Sequence, residues 1–114
     1  MATHGRAITA ALYEHQNKLQ QYTDLEEILL CLKKKGIIKN DEYHEMMELT
    51  KEKKKNQVLF ILKKISSAGD NAFLALLECL KAKQRDLAEA MLVIVERIDE
   101  PYAKELRNSK WLSS

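Results

Sequence analysis

Three histidines, two cysteines and several dense blocks of lysine and carboxylate are the residues whose chemistry could carry a function here. None of His4, His15 and His44 lies in an HxxxH, HExxH or CxxC setting, the spacings that gather zinc ligands. His44 follows Glu42 by two residues and adjoins Glu45, the setting of an exposed helix surface. Cys31 and Cys79 each fall inside an apolar helical pattern, where a free cysteine acts as a small hydrophobe. Two such isolated cysteines predict reduced thiols in a reducing compartment rather than a disulfide. There is no glycine-rich phosphate loop and no nucleophile elbow. Catalysis needs titratable groups that converge, and no spacing here gathers them. The expectation is therefore no catalytic residue, no metal and no cofactor.

The charge blocks remain. Asp24, Glu26 and Glu27 stand together, and Asp41, Glu42, Glu45 and Glu48 form a second acidic set. Lys51, Lys53, Lys54 and Lys55 form a basic run, with Lys63 and Lys64 beyond it and Lys18 upstream. Most surface charges serve solubility. Acidic residues at a helix start also have a local reason, because the helix dipole is positive there. Lysines at a helix start are locally unfavourable, so the run from Lys51 to Lys55 points to an acidic partner.

Helices must position these blocks. Ile8, Leu12 and Leu19 mark a first helix of irregular stripe, expected to bend, with Ala11 and Tyr22 beside the stripe. Thr23 with Glu26 fits a capping box for a second, carrying Leu25, Ile28, Leu29 and Leu32. Lys33, Lys34 and Lys35 close it and Gly36 is its left-handed end. Asn40 or Asp41 caps a short third helix with Tyr43, Met46, Met47 and Leu49. Thr50 caps a fourth with Val58, Ile61, Leu62 and Ile65, broken by Ser66 to Gly69. Asp70 caps a fifth with Phe73, Leu76, Leu77 and Leu80. A sixth begins near Gln84 or Asp86 and carries Leu87, Met91, Leu92 and Val95, with Pro101 at or just past its end. Short links make consecutive helices neighbours, often antiparallel. The fold class is all-α: one six-helix bundle over residues 1–98, with 99–114 as a tail or linker, or a short extra helix packing back.

The total of 114 residues fits one domain with one core. Three glycines and a single proline are too few turn formers for a sandwich or barrel. Nineteen basic against 17 acidic residues leave +2, too small a surplus to predict nucleic-acid binding. The lysine runs also lack the interleaved arginine and aromatic residues that would grip nucleic acid. No stretch approaches the roughly 18–20 apolar residues of a membrane span, and no apolar core follows the N-terminus as in a secretory signal. The expected setting is the cytoplasm, without membrane contact.

In order along the chain, Leu12-Tyr-Glu-His-Gln-Asn-Lys-Leu19, Leu29-Leu-Cys-Leu-Lys-Lys-Lys-Gly-Ile-Ile38, Asn40-Asp-Glu-Tyr-His-Glu-Met46, Lys54-Lys-Asn-Gln-Val-Leu-Phe-Ile-Leu62, Gly69-Asp-Asn-Ala-Phe-Leu-Ala-Leu-Leu77 and Asp86-Leu-Ala-Glu-Ala-Met-Leu92 resemble the six helices of a caspase recruitment domain, in the death-fold superfamily. No one segment is diagnostic; the specificity lies in the ordered set. The resemblance implies a Greek-key bundle with a bent first helix. It implies homotypic association with a second such domain in an adaptor, sensor or caspase of apoptotic or innate immune signalling, inflammasomes included. It also implies self-association into helical filaments, or service as a decoy that blocks others. A pyrin or death domain is the neighbouring alternative. The resemblance further implies a basic surface of Lys18, Lys51, Lys53, Lys54, Lys55 and Lys63 meeting an acidic surface of Asp24, Glu27, Asp41, Glu42 and Glu45. Lys33, Lys34 and Lys35 depart from the pattern, since several family members are acidic before the glycine; this implies either a smaller acidic surface or a partner whose basic side docks elsewhere.

Overall fold

The computed structural model describes residues 4–22, 24–82 and 84–108. They form an all-α bundle with no strand among the described residues. The helices are α1 (Gly5–Glu14), α2 (Gln16–Tyr22), α3 (Leu25–Lys34), α4 (Asn40–Met47), α5 (Lys53–Ala68), α6 (Asp70–Lys81), α7 (Arg85–Ile98) and α8 (Glu100–Arg107). The bent first helix of the sequence reading is α1 plus α2. The five further helices expected from the apolar stripes are α3 to α7, and α8 is additional.

The bend has a visible cause. At His15 the helix tightens, its N–H donating to the carbonyl of Leu12 at 3.2 Å. The His15 side chain is buried and bonds the Ala11 carbonyl through Nδ1 at 3.0 Å. A carbonyl only accepts, so Nδ1 carries the proton in this contact. That bond occupies Nδ1 of the buried ring.

Every stripe residue expected inside α1 to α3 and α5 to α7 is buried, from Ile8 to Val95. Fully burying one such aliphatic side chain contributes about 1.5–3 kcal/mol, which is why the period-3.6 pattern governs the fold. Helix α4 is the exception: it has no buried residue. Tyr43, Met46 and Met47 are half-buried against the core from outside. Gln57 of α5, itself 1% exposed, donates to the Met46 carbonyl at 3.1 Å and ties α4 to α5.

The helix ends depart from several expected caps. Asp24 caps α3, with the Glu27 N–H donating to its Oδ1 at 3.4 Å. Thr23, the Tyr22 side chain and Trp111 lie outside the described residues. For α4 the N-cap is Lys39, ahead of the expected Asn40 or Asp41, and the Glu42 side chain accepts from the Lys39 N–H at 2.9 Å. Glu52 rather than Thr50 precedes α5, in the left-handed region at φ 47°. Gly69 alone makes the α5–α6 turn at φ 92°, so α5 runs through the serines and Asp70 is the first residue of α6. Gly36 behaves as read: at φ 79° it lets its own N–H reach Lys33 and the Ile37 N–H reach Leu32, closing α3.

The expectation of two reduced thiols is corrected. Cys31 on α3 and Cys79 on α6 are joined as a disulfide, with Cα atoms 6.0 Å apart. Forty-eight residues separate them in sequence, so nothing local to either cysteine marks the pairing. It follows from α3 packing against α6. Restricting a loop of that length in the unfolded chain is worth about 4 kcal/mol in the chain-entropy account.

The stretch read as a tail, linker or extra helix begins with α8. Asp99 caps it, accepting from the Tyr102 N–H at 3.3 Å, and Pro101 sits in its first turn, where its missing N–H is harmless. Tyr102, Ala103 and Leu106 are buried against the bundle. Arg107 reaches back to Glu89 at 3.0 Å and Glu96 at 3.5 Å on α7.

Candidate interaction surfaces

The basic set divides between two places. Lys51, Lys54 and Lys55 are exposed around the start of α5, with Lys53 half-buried among them. No acidic residue stands in the first turn of α5, and Glu52 makes no side-chain cap bond there. Unneutralised cations at the positive end of a helix cost about 0.3–1 kcal/mol each. The Lys55–Glu52 pair, at 4.0 Å between two exposed side chains, offsets little of this. One and two turns further, Leu59 is 38% exposed and Lys63 is exposed. The i, i+4 spacing sets Lys55, Leu59 and Lys63 along one outer stripe of α5. Lys18, exposed on α2, instead borders a groove of about 220 Å³ with Asp86 and Leu87.

The acidic set divides as well. Asp24, Glu26 and Glu27 are exposed at the start of α3, and Asp41 and Glu45 are exposed on α4. Glu42 is different. Lys64 of α5 grips both its oxygens, at 3.0 and 2.8 Å, while Oε1 also caps α4. The Lys64 ammonium, followed by the Lys39 N–H, holds the Glu42 carboxyl below its ordinary range. Glu42 is therefore committed to holding α4 on α5.

Charges of opposite sign also line one groove of the molecule. Asp24 and Glu26 at the start of α3 and Lys53 and Lys54 of α5 border a groove of about 440 Å³ with Leu25 and Gln57. The resemblance implies separate surfaces for these charges; packing brings them to the lining of one groove. The lysine block before Gly36 is largely engaged inside the chain. Lys33 lies 4.7 Å from the centre of the Tyr43 ring and Lys35 pairs with Glu78 at 2.6 Å. Those lysines thus bind α3 to α4 and α6, a local reason for their presence.

One polar cluster escaped the sequence reading. His4 stacks on Tyr102 at 3.9 Å, donates from Nδ1 to Asp99 Oδ2 at 2.6 Å, and has Nε2 at 3.6 Å from Asp70 Oδ2. The bond from His4 is the main cause that holds the Asp99 carboxyl below its usual range. Burial, with the Asp70, Glu105 and Asp99 charges, pushes the Tyr102 phenol far up. A separation of 95 residues between His4 and Asp99 left no local signal. The cluster fastens the start of α1 to the α7–α8 junction. Among the described residues, no group of three or more His, Cys, Asp or Glu side chains could hold a metal, and no helix is long and apolar enough to cross a membrane.

Compared with known families, residues 9–93 match the model described as CARD, caspase recruitment domain. The match takes in most of α1 and all of α2 to α6, ends within α7 and leaves α8 outside it. No curated protein and no solved structure matches the chain.

Proposed function

Because the chain belongs to the caspase recruitment domain family, whose members are protein-interaction modules of death-fold signalling that bind other such domains, we propose that it docks a second caspase recruitment domain through the start and outer stripe of α5. The observation that carries this reading is the cationic turn Lys51 to Lys55, at a helix start with no acidic residue in its first turn, continued by the exposed Leu59 and by Lys63. An acidic partner surface would neutralise the cations at the positive helix end, and Leu59 offers apolar area beside them. The charges set partner choice and association rate, while apolar contact supplies much of the affinity. Asp24, Glu27, Asp41 and Glu45 form the complementary acidic side. Glu42 drops out of that side because Lys64 and the α4 cap occupy it. With both signs on one molecule, the contact is head-to-tail and can repeat into a filament. The same basic turn presented without a usable acidic side would make a decoy instead. The setting is apoptotic or innate immune signalling in the cytoplasm.

The test is the pair Lys54→Glu with Lys55→Glu. Light scattering during size exclusion, across concentration and salt, reads self-association; titration with a purified caspase recruitment domain bearing an acidic face reads docking. The variant should lose at least about tenfold in association, since reversing close charges at an interface costs several kcal/mol. Its far-UV circular dichroism should stay that of the parent. Unchanged association with an unchanged fold would remove α5 from the interface.

A further inference from the structure

We propose that Cys31 and Cys79 form a reversible thiol–disulfide exchange site, with Cys31 as the sulfur that reacts with low-molecular-weight thiols and disulfides. The pairing rests on geometry. A Cα separation of 6.0 Å lies within the range a disulfide spans without moving the backbone. The helices also stay adjacent when the bond opens. Leu29 and Leu32 of α3 share the core with Leu76 and Leu80 of α6. One turn along α3 from Cys31, Lys35 reaches Glu78, the neighbour of Cys79, at 2.6 Å. Two thiols released here remain within reach of each other.

Access distinguishes the two residues. Cys79 is 8% exposed, whereas Cys31 is half-buried. A groove of about 160 Å³, walled by Glu27, Ile28, Leu80 and Ala82, opens onto the pair. An external thiolate entering it meets Cys31 more readily. In reduction, that thiolate attacks Cys31 Sγ, forms a mixed disulfide and expels the Cys79 thiolate. A second external thiolate then attacks the external sulfur of the mixed disulfide, releasing the Cys31 thiolate and one molecule of small disulfide. In oxidation, the Cys31 thiolate attacks a small disulfide and releases one small thiolate. The Cys79 thiolate then attacks Cys31 Sγ and releases the second. Two electrons pass from the cysteine pair to the small disulfide, and two small thiols result. Nothing in this exchange depends on how the domain docks.

The test equilibrates the full chain, without denaturant, in buffers of reduced and oxidised glutathione and counts alkylatable thiols by mass. The count should pass from zero to two as reduced glutathione increases. The melting temperature should fall on the order of 10 °C with it. With oxidised glutathione, Cys79→Ser should acquire one glutathione at Cys31 at least roughly tenfold faster than Cys31→Ser acquires one at Cys79. If a serine variant fails to fold, acid-quenched parent chain mapped by peptide mass gives the site of the first mixed disulfide. A bond that yields to glutathione only after unfolding, thiols that stay alkylatable in fully oxidised buffer, or glutathione arriving first at Cys79 would each overturn the proposal.

Discussion

Tyr102 offers a direct test of whether α8 belongs to the cooperative unit. Its side chain is 3% exposed, stacks on His4 at 3.9 Å and lies 6.4 Å from the ring of Phe73. Its hydroxyl is buried with no hydrogen-bond partner among the described residues. The ring and the hydroxyl should therefore act in opposite directions. Tyr102→Ala removes a large buried ring and leaves a cavity, a loss of about 3–4 kcal/mol. Tyr102→Phe keeps the ring and removes a buried donor that gains nothing in return, a gain of about 1 kcal/mol. A domain of this size melts with an entropy that converts 1 kcal/mol to roughly 4 °C. Thermal unfolding followed by circular dichroism should thus show the alanine variant about 12–16 °C below the parent and the phenylalanine variant roughly 4 °C above it. The pH dependence adds a second reading. The phenol is raised in the folded chain above its ordinary 10.0. Its contribution is whole below that value and is lost as pH rises beyond it, because the unfolded chain then ionises first. The phenylalanine variant should lack that alkaline decline. An alanine variant melting within about 2 °C of the parent would show residues 99–108 to be outside the folded unit. A phenylalanine variant melting well below the parent would show that the hydroxyl is satisfied.

Two further outcomes follow from the helix ends. Glu42→Gln should lower stability at neutral pH by up to about 1 kcal/mol, since the pair with Lys64 is only partly buried. The Glu42 carboxyl is depressed in the folded chain, so its contribution is present above its ordinary 4.5 and is lost as pH falls through the lower folded value. Urea midpoints of parent and variant should differ at pH 7 and converge in strong acid; a constant gap would contradict the assignment. At the two left-handed glycines, Gly36→Ala should cost about 1–2 kcal/mol through backbone conformation alone, because nothing lies within 4 Å of the added carbon. Gly69→Ala should cost more, about 2–3 kcal/mol, because φ 92° with ψ −151° is a region almost reserved for glycine. Equal urea midpoints for the two variants would contradict that ranking.

How much was legible depended on how local the governing physics is. The stripes of α3 and α5 to α7 were readable because burial of one helix face repeats every three to four residues, within a single element. Gly36 was readable for the same reason: the left-handed closure of α3 involves only the residues around it. The cap at Lys39 was less so, since Lys39, Asn40 and Asp41 differ by shifts of one or two residues that the return bond from Glu42 decides. The extent of α5 past Ser66 and Ser67 was missed because serine is neutral enough in a helix for packing to carry it through.

The sequence by itself determined an all-helical bundle, its core stripes, the bend in the first helix and the blocks of like charge. Only the tertiary structure decided which of those residues meet. It joined Cys31 to Cys79 across 48 residues, gave Glu42 to Lys64, set Asp24, Lys53 and Lys54 along one groove, and brought His4 onto Tyr102 and Asp99. Helical periodicity is written in neighbouring residues, whereas a contact between helices depends on their relative placement and rotation. Those are fixed by the packing of the whole core, and no single segment contains them.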